Sequence, residues 1–373
     1  MKHWFCIAVI SLFTLSCIHR NVSNIEPSNL KCEYSDNPLA IENQNPELSW
    51  ILNSEMRNQK QSAYHILVAS SRANIDSSIG DLWGSDTVNS EESVHIEYRG
   101  KPLVSGMRCW WKVCVWDEEG VNSDWSKPAF WKMGLLDPND WKAQWISYEC
   151  QSAPLLRKRF KINENLKEAR VYISGLGYYE LHINGIRIGD HVLDPAQTDY
   201  EQGWDTPGYD DADWDKVVIS EGPEIQLRFA ESLFKDGMID PARTGVYATD
   251  VVQTDKYICN GKDVEVWEPC FTYHGFRYIE MTGFPGEPGA ENIQGVFVHT
   301  AVEKTGEFIS SDTMINKLHQ TALWTELSNM HGIPTDCSHR ERCGWLGDAF
   351  LTSDMTMYNF DVALLWRKCK INV

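Results

Sequence analysis

Before residue 310 the apolar positions of this chain tend to alternate; after it they recur every three or four residues. Alternation marks a strand with two distinct faces, and the longer period marks an amphipathic helix. AYHILVASS (63–71) and RCWWKVCVWD (108–117) are strand-length runs rich in β-branched and aromatic residues. In the second, Cys109, Trp111, Val113 and Val115 alternate with Trp110, Lys112, Cys114 and Trp116. Both faces are mostly apolar, as in a strand covered on both sides. Turn residues follow at 117–120, then a short strand at 129–133. Residues 26–135 read as one small all-β domain.

A linker at 136–140 contains Pro138 and Asn139, and a second β region starts at Trp141. Residues 169–195 contain two strands around Asn184-Gly185, a pair suited to a tight hairpin because both central positions need φ > 0. Gly175 and Gly177 mark a second turn or bulge. Residues 201–300 continue as β with loops. There, 209–218 is a turn leading into a strand, and 264–286 is a dense β segment. Its Tyr273, Phe276 and Tyr278 fall near a core or groove, with His274 and Arg277 as polar tips.

Ser311-Asp312 makes an N-cap for a helix whose apolar positions are Ile315, Leu318, Ala322, Leu323, Leu327 and Met330. Pro334 ends it. After a loop at 335–347, Asp348 caps a second helix running through Ala349, Leu351, Met355, Phe360 and Leu364. Met355 and Phe360 are core positions by their spacing.

Charge narrows the function. Lys and Arg number 34 against 53 Asp and Glu, a net charge of −19. No basic face is available to neutralise phosphates, which excludes nucleic acid as a partner. The 16 Trp suggest sandwich cores, sugar-stacking platforms, or both. At the N-terminus, Lys2 precedes a 4–15 apolar stretch too short to span a bilayer, followed by Ser16-Cys17. This reads as an export leader (1–17) resembling a lipoprotein box, with Cys17 as the lipidated residue and Thr14 departing from the pattern. It implies an exported protein of the periplasm or outer surface, touching membrane only through that anchor. The remaining cysteines form no CxxC pair and no zinc-spaced cluster; they read as small buried hydrophobes with at most one disulfide.

The loop between the two helices, PTDCSHRERCGWLGD (334–348), concentrates Asp336, Arg340, Glu341, Arg342, Trp345 and Asp348. Glycoside hydrolysis needs one carboxylic acid to protonate the leaving oxygen and a second carboxylate acting on water or sugar. Glu341 suits the first role: crowding by Asp336 and Asp348, with Trp345 excluding water, favours its protonated form. Asp336 and Asp348 suit hydrogen bonds to vicinal hydroxyls, and Trp345 offers a flat face to a sugar ring. His339 reads as a surface or packing residue. On residue types alone, a charged loop tying two helices together is the favoured reading, because structural networks also perturb carboxylates.

The order ELSW, paired strands, WWKVCVWD and SDWS resembles a fibronectin type III-like sandwich. Beyond it, five segments decide the resemblance: APLLRKRF (153–160), YISGLGYYELHING (172–185), GDHVLDPAQTDY (189–200), EPCFTYHGFRYIE (268–280) and PTDCSHRERCGWLGDA (334–349). The chain resembles bacterial α-L-rhamnosidases of glycoside hydrolase family 78. The resemblance implies a multidomain, mainly β architecture. The fibronectin III-like domain is followed by a shortened jelly-roll domain (141–220), a β-sandwich (221–305) and the first helices of an (α/α)6 catalytic barrel (311–373). It implies inverting hydrolysis of terminal α-L-rhamnose from an oligosaccharide or glycoside. Glu341 is then the general acid, with Asp336, Trp345 and Asp348 as rhamnose-binding residues and Arg340 in a supporting position. It names no cofactor and leaves calcium open.

The sequence also departs from the family. Ser338-His339 follows Asp-Cys where Pro-Gln is usual, and Cys343 stands where Leu is common. The jelly-roll stretch around 200–227 is compressed, which predicts open edges. About twelve helices of an (α/α)6 barrel need roughly 200 residues, more than follow Ser311, and no residue here matches the family's later general base. LWRKCKINV (365–373) drifts from the pattern as after a frameshift or early stop. The expectation is therefore a truncated, impaired hydrolase. The alternative is a surface carbohydrate-binding protein without catalysis. Two helices alone must lie on the preceding sandwich, stay partly unfolded, or aggregate.

Overall fold

The computed structural model describes residues 22–144, 146, 156–162, 168–175, 177–195, 222–240, 252–261 and 264–371. The leader, Cys17, Cys150 and the 209–218 segment lie outside these residues. The chain divides into two units, 1–145 and 146–373.

The first unit is a two-sheet, immunoglobulin-like sandwich. Its elements are β1 (Glu26–Cys32), β2 (Glu47–Asn53), β3 (Gln61–Ala69), the short helix α1 (Arg72–Asp76), β4 (Trp83–Gly84), β5 (Val88–Asn89), β6 (Ile96–Glu97), β7 (Arg108–Asp117) and β8 (Ala129–Lys132). One sheet has the order β1-β2-β6; the other is β4-β3-β7-β8, with β5 also pairing β3. β7 is the run predicted from sequence, and it is central, antiparallel to β3 and β8. Its Cys109, Trp111, Val113 and Val115 are fully buried between the sheets against Trp50, Leu48, Ile66 and Trp131. Truncating one such indole to Ala costs about 3–5 kcal/mol. The opposite face is apolar because it too is covered. Trp110 and Trp125 pack with Ile75 of α1, and the buried Lys112 ammonium reaches Ser78 Oγ at 2.8 Å and lies over the Trp125 ring. Burial holds the Lys112 pKa below its ordinary value. The predicted linker contains one short 3-10 turn, Pro138–Asp140, capped by Asp137.

The second unit begins with a two-strand hairpin, β9 (His182–Ile183) and β10 (Ile186–Arg187). Asn184 and Gly185 take φ of 53° and 81°, the paired left-handed turn the sequence predicts. A three-stranded antiparallel sheet follows: β11 (Glu224–Ala230), β12 (Thr254–Ile258) and β13 (Tyr278–Thr282), with β11 central. The dense strand expected over 264–286 is limited to β13. Val266 is 96% exposed, and the stretch before β13 packs through side chains, as in the Tyr257–Trp267 stack, instead of through a ladder. β-propensity alone does not make a strand.

Three helices close the unit: α2 (Thr313–Ser328), α3 (Leu346–Asn359) and α4 (Ala363–Ile371). Asp312 caps α2 by accepting from Met314 N and Ile315 N, as the sequence indicates. α3 differs from expectation at both ends. Trp345 occupies its N-cap position and Asp348 lies inside the first turn, where the helix dipole favours a carboxylate. The helix stops at Phe360, whose backbone is extended, because the crossing segment takes its hydrogen bonds: Thr305 N donates to Asn359 O at 2.9 Å and Asp361 N to Glu303 O at 2.8 Å. Gly306 fits that crossing because a Cβ there would lie 1.9 Å from Tyr358 O. Leu323, Met330, Phe360, Val362 and Leu365 form the shared core, with Met355 against it. The apolar stripe is buried only at this end: Leu318 is 69% exposed and Leu351 is 80% exposed.

Candidate active site

The loop joining α2 to α3 is closed by its own backbone. Thr335 N and Oγ1 both donate to Asn329 O, at 2.7 and 3.0 Å. Asp336 and Cys343 then pinch the loop shut. Asp336 N donates to Cys343 O at 3.0 Å, and Cys343 N donates to Asp336 Oδ1 at 2.9 Å. Glu341 N reaches Cys337 Sγ at 3.2 Å, and Arg342 takes a left-handed φ of 55°. A six-residue excursion, 337–342, is thus held in one conformation, and its side chains project from a fixed frame.

Four of the five residues predicted for the site touch one another. Trp345 Nε1 donates to Glu341 Oε2 at 2.9 Å. The Arg340 guanidinium lies between two carboxylates, Nη2 at 3.8 Å from Asp336 Oδ2 and Nε at 3.8 Å from Glu341 Oε1. The Asp336 side chain is buried at 7% exposure; that of Glu341 retains 36%. Asp348, the fifth, stands exposed in the first turn of α3 beside them in sequence. One expectation changes: Trp345 is 55% exposed, so its edge holds Glu341 but its ring does not seal the carboxyl from water.

Sequence reasoning missed how this loop is supported. Tyr273 is stacked by His331 (3.9 Å between centroids, 13° between planes) and carries the Arg342 guanidinium 4.5 Å from its centroid. Burial pushes the Tyr273 phenol up to about 12, so the ring stays neutral beside that cation. Next in sequence, His274 is buried in a stack on Phe229 at 4.2 Å, with Nδ1 2.8 Å from Gln253 Oε1 and Nε2 3.0 Å from Asp255 Oδ1. Gln253 Nε2 donates to His339 O in the 334–348 loop. Gly275 lies against Ser338 and His339 so closely that no Cβ fits. His339 itself is packed, 3.6 Å from Glu231 Oε2. The tyrosine–histidine–glycine run is the platform on which the carboxylate loop rests; adjacency of its motif to the loop is a tertiary fact that no spacing reveals.

Among the described residues no group of three or more His, Cys, Asp or Glu is placed to hold a metal ion, and none of their helices is long and apolar enough to cross a membrane. The eight cysteines Cys32, Cys109, Cys114, Cys259, Cys270, Cys337, Cys343 and Cys369 are free thiols.

Family models match along both units: a Rha78A-like N-terminal immunoglobulin domain at 27–137, an α-L-rhamnosidase N-terminal domain at 164–202, a bacterial α-L-rhamnosidase concanavalin-like domain at 215–299 and a bacterial α-L-rhamnosidase six-hairpin glycosidase domain at 303–372. The chain belongs to the bacterial α-L-rhamnosidase family. It is 28% identical to an α-L-rhamnosidase of Formosa agariphila, matching over 98% of this chain and 58% of that protein. The solved α-L-rhamnosidase of Dictyoglumus thermophilum is similar at 31% identity with a TM-score of 0.81, over 94% of this chain and 57% of that one. The Streptomyces avermitilis α-L-rhamnosidase complexed with L-rhamnose shares the fold, at 20% identity and a TM-score of 0.76, over 92% of this chain and 64% of that one. This chain therefore spans somewhat over half the length of the relatives it matches.

Proposed function

We propose that the 334–348 loop is the rhamnose-binding, acid-donating side of an α-L-rhamnosidase active site. The observation that carries this reading is the contact set Asp336–Arg340–Glu341–Trp345, fixed by the Asp336–Cys343 backbone clamp. Glu341 donates its proton to the glycosidic oxygen. Asp336 and Asp348 accept hydrogen bonds from ring hydroxyls, the exposed Trp345 ring covers the apolar side of the sugar, and Arg340 keeps the two carboxylates apart and oriented.

Inversion requires a second carboxylate about 6.5–9.5 Å from the acid, with a water between. Asp336 is tied to Cys343 N and Arg340 and is not free to activate water. The loop therefore supplies the acid and the sugar contacts of this site. The 1–17 segment supports export with Cys17 as a lipid anchor, which places rhamnosylated glycans outside the cytoplasm as the substrate class.

The test is hydrolysis of an aryl α-L-rhamnoside by the chain and by Glu341→Gln. Turnover that is lost in Glu341→Gln, with sugar binding intact in both, supports this reading. Efficient turnover unaffected by Glu341→Gln removes Glu341 from the acid role.

A further inference from the structure

The immunoglobulin-like unit carries a second feature to which no role has been assigned. An open cleft of about 730 Å³ lies where β2, β3, β4 and β6 come together. Its apolar floor includes Tyr64 and Trp83, and both rings are braced from behind. Tyr64 meets the buried Trp50 edge-on at 5.3 Å, and Trp83 meets Tyr98 edge-on at 5.4 Å.

The walls are polar and fixed. Glu47 Oε2 lies 2.9 Å from His95 Nδ1, and the Tyr34 hydroxyl lies 3.2 Å from that nitrogen and 3.4 Å from the same carboxylate oxygen. His95 takes a left-handed φ of 56°, uncommon for a residue with a side chain. On the neighbouring strand, Glu97 is the register partner of Glu47, and Arg99 Nε is 3.3 Å from Glu97 Oε2. Asn43 accepts from Asn45 N and donates to Glu33, which sets the amide at the rim.

Three properties select the ligand. Indole and phenol at the floor suit the C–H face of a pyranose ring. Carboxylate, guanidinium, imidazole and amide groups around it supply both acceptors and donors, as hydroxyls require because each both gives and takes a hydrogen bond. Three carboxylates, Glu47, Glu92 and Glu97, line the cleft with the Arg99 guanidinium, which disfavours an anionic ligand. The open form admits a sugar within a longer chain. We propose that this cleft is a non-catalytic saccharide-binding site that holds a neutral, rhamnose-containing glycan. The choice of rhamnose rests on the reading of the 334–348 loop given above.

The experiment uses the full chain and separates the two sites. A rhamnose-containing trisaccharide and, separately, ethylenediamine are titrated calorimetrically into the unaltered chain, Trp345→Ala, Arg99→Ala and Glu97→Ala. Near-UV circular dichroism checks each variant; Arg99 and Glu97 are exposed, so the sandwich core is untouched. The cleft predicts saturable trisaccharide binding that survives Trp345→Ala and weakens at least about tenfold in Arg99→Ala and Glu97→Ala. Three results overturn it: trisaccharide binding lost with Trp345→Ala and unaltered in the cleft variants, which leaves the loop site standing alone; no saturable binding to the Trp345→Ala chain; or binding of the diamine in place of the sugar.

Discussion

The indole N–H of Trp345 is bound to Glu341 Oε2 at 2.9 Å, so the residue that opens α3 also orients the carboxyl four positions before it. Substituting Glu341 by Gln keeps the shape and an oxygen for the indole while removing the dissociable proton. The expected outcome is an unchanged near-UV spectrum, retained sugar affinity, and loss of any rhamnoside turnover by at least about a hundredfold. Parallel assays of binding and hydrolysis read the two apart.

Gly275 should be intolerant of a side chain. A Cβ there would sit 2.6 Å from Ser338 Oγ and 2.9 Å from His339 Cβ. Gly275→Ala is expected to cost about 1–3 kcal/mol in urea unfolding and to weaken rhamnose binding, because the loop it displaces carries Arg340 and Glu341. A variant with full affinity would show that the platform does not position the loop.

His331 gives the unit a pH dependence. Burial, with Arg342 adding to it, lowers its pKa from 6.5 to about 4, while its hydrogen bond to Val298 O opposes the shift. The folded state therefore disfavours the charged ring. The stability linked to His331 is fully present above pH 6.5 and is lost as pH falls through about 4, since in that window the unfolded chain binds the proton and the folded chain does not. The ring is partly solvated, so the loss is on the order of 2 kcal/mol, less than the whole shift implies. Unfolding midpoints between pH 7 and 4 should fall more steeply for the native chain than for His331→Gln.

In the sandwich, Gln61 is the acceptor for the buried Trp50 Nε1 at 3.0 Å and donates to Ser90 O and Glu92 O. Gln61→Leu fills the space but leaves a buried N–H and two carbonyls without these partners. A loss of about 1–3 kcal/mol is expected, read as a lower melting temperature, with the C-terminal loop unaffected.

Much of this was legible from residues. β7 declared itself by two apolar faces, the hairpin by Asn184-Gly185, and the α2 start by Asp312, because each signal is local. The site was legible as a set: the spacing of Asp336, Arg340, Glu341 and Trp345 placed them on one short loop. What the sequence did not yield was tertiary. Val264 and Val266 carry strand propensity yet pair with no strand. Phe360 lies on the helical stripe but is captured by the 303–306 segment. Leu318 and Leu351 have core spacing and are exposed, since periodicity reports which face is apolar and not whether anything covers it. His274 and Gln253 are 21 positions apart, and neither stands in a carboxylate-rich motif. Their support of the His339 carbonyl follows only from where β12 lies.

The central claim, that rhamnose contacts the 334–348 loop, is tested most directly at Trp345 itself. Incorporating 5-fluorotryptophan and comparing with Trp345→Phe identifies the Trp345 resonance by its absence. Millimolar L-rhamnose should then shift that one fluorine signal saturably, and Asp336→Ala should abolish the shift. A Trp345 signal that stays fixed across the titration, or that moves equally in the Asp336→Ala chain, would contradict the account.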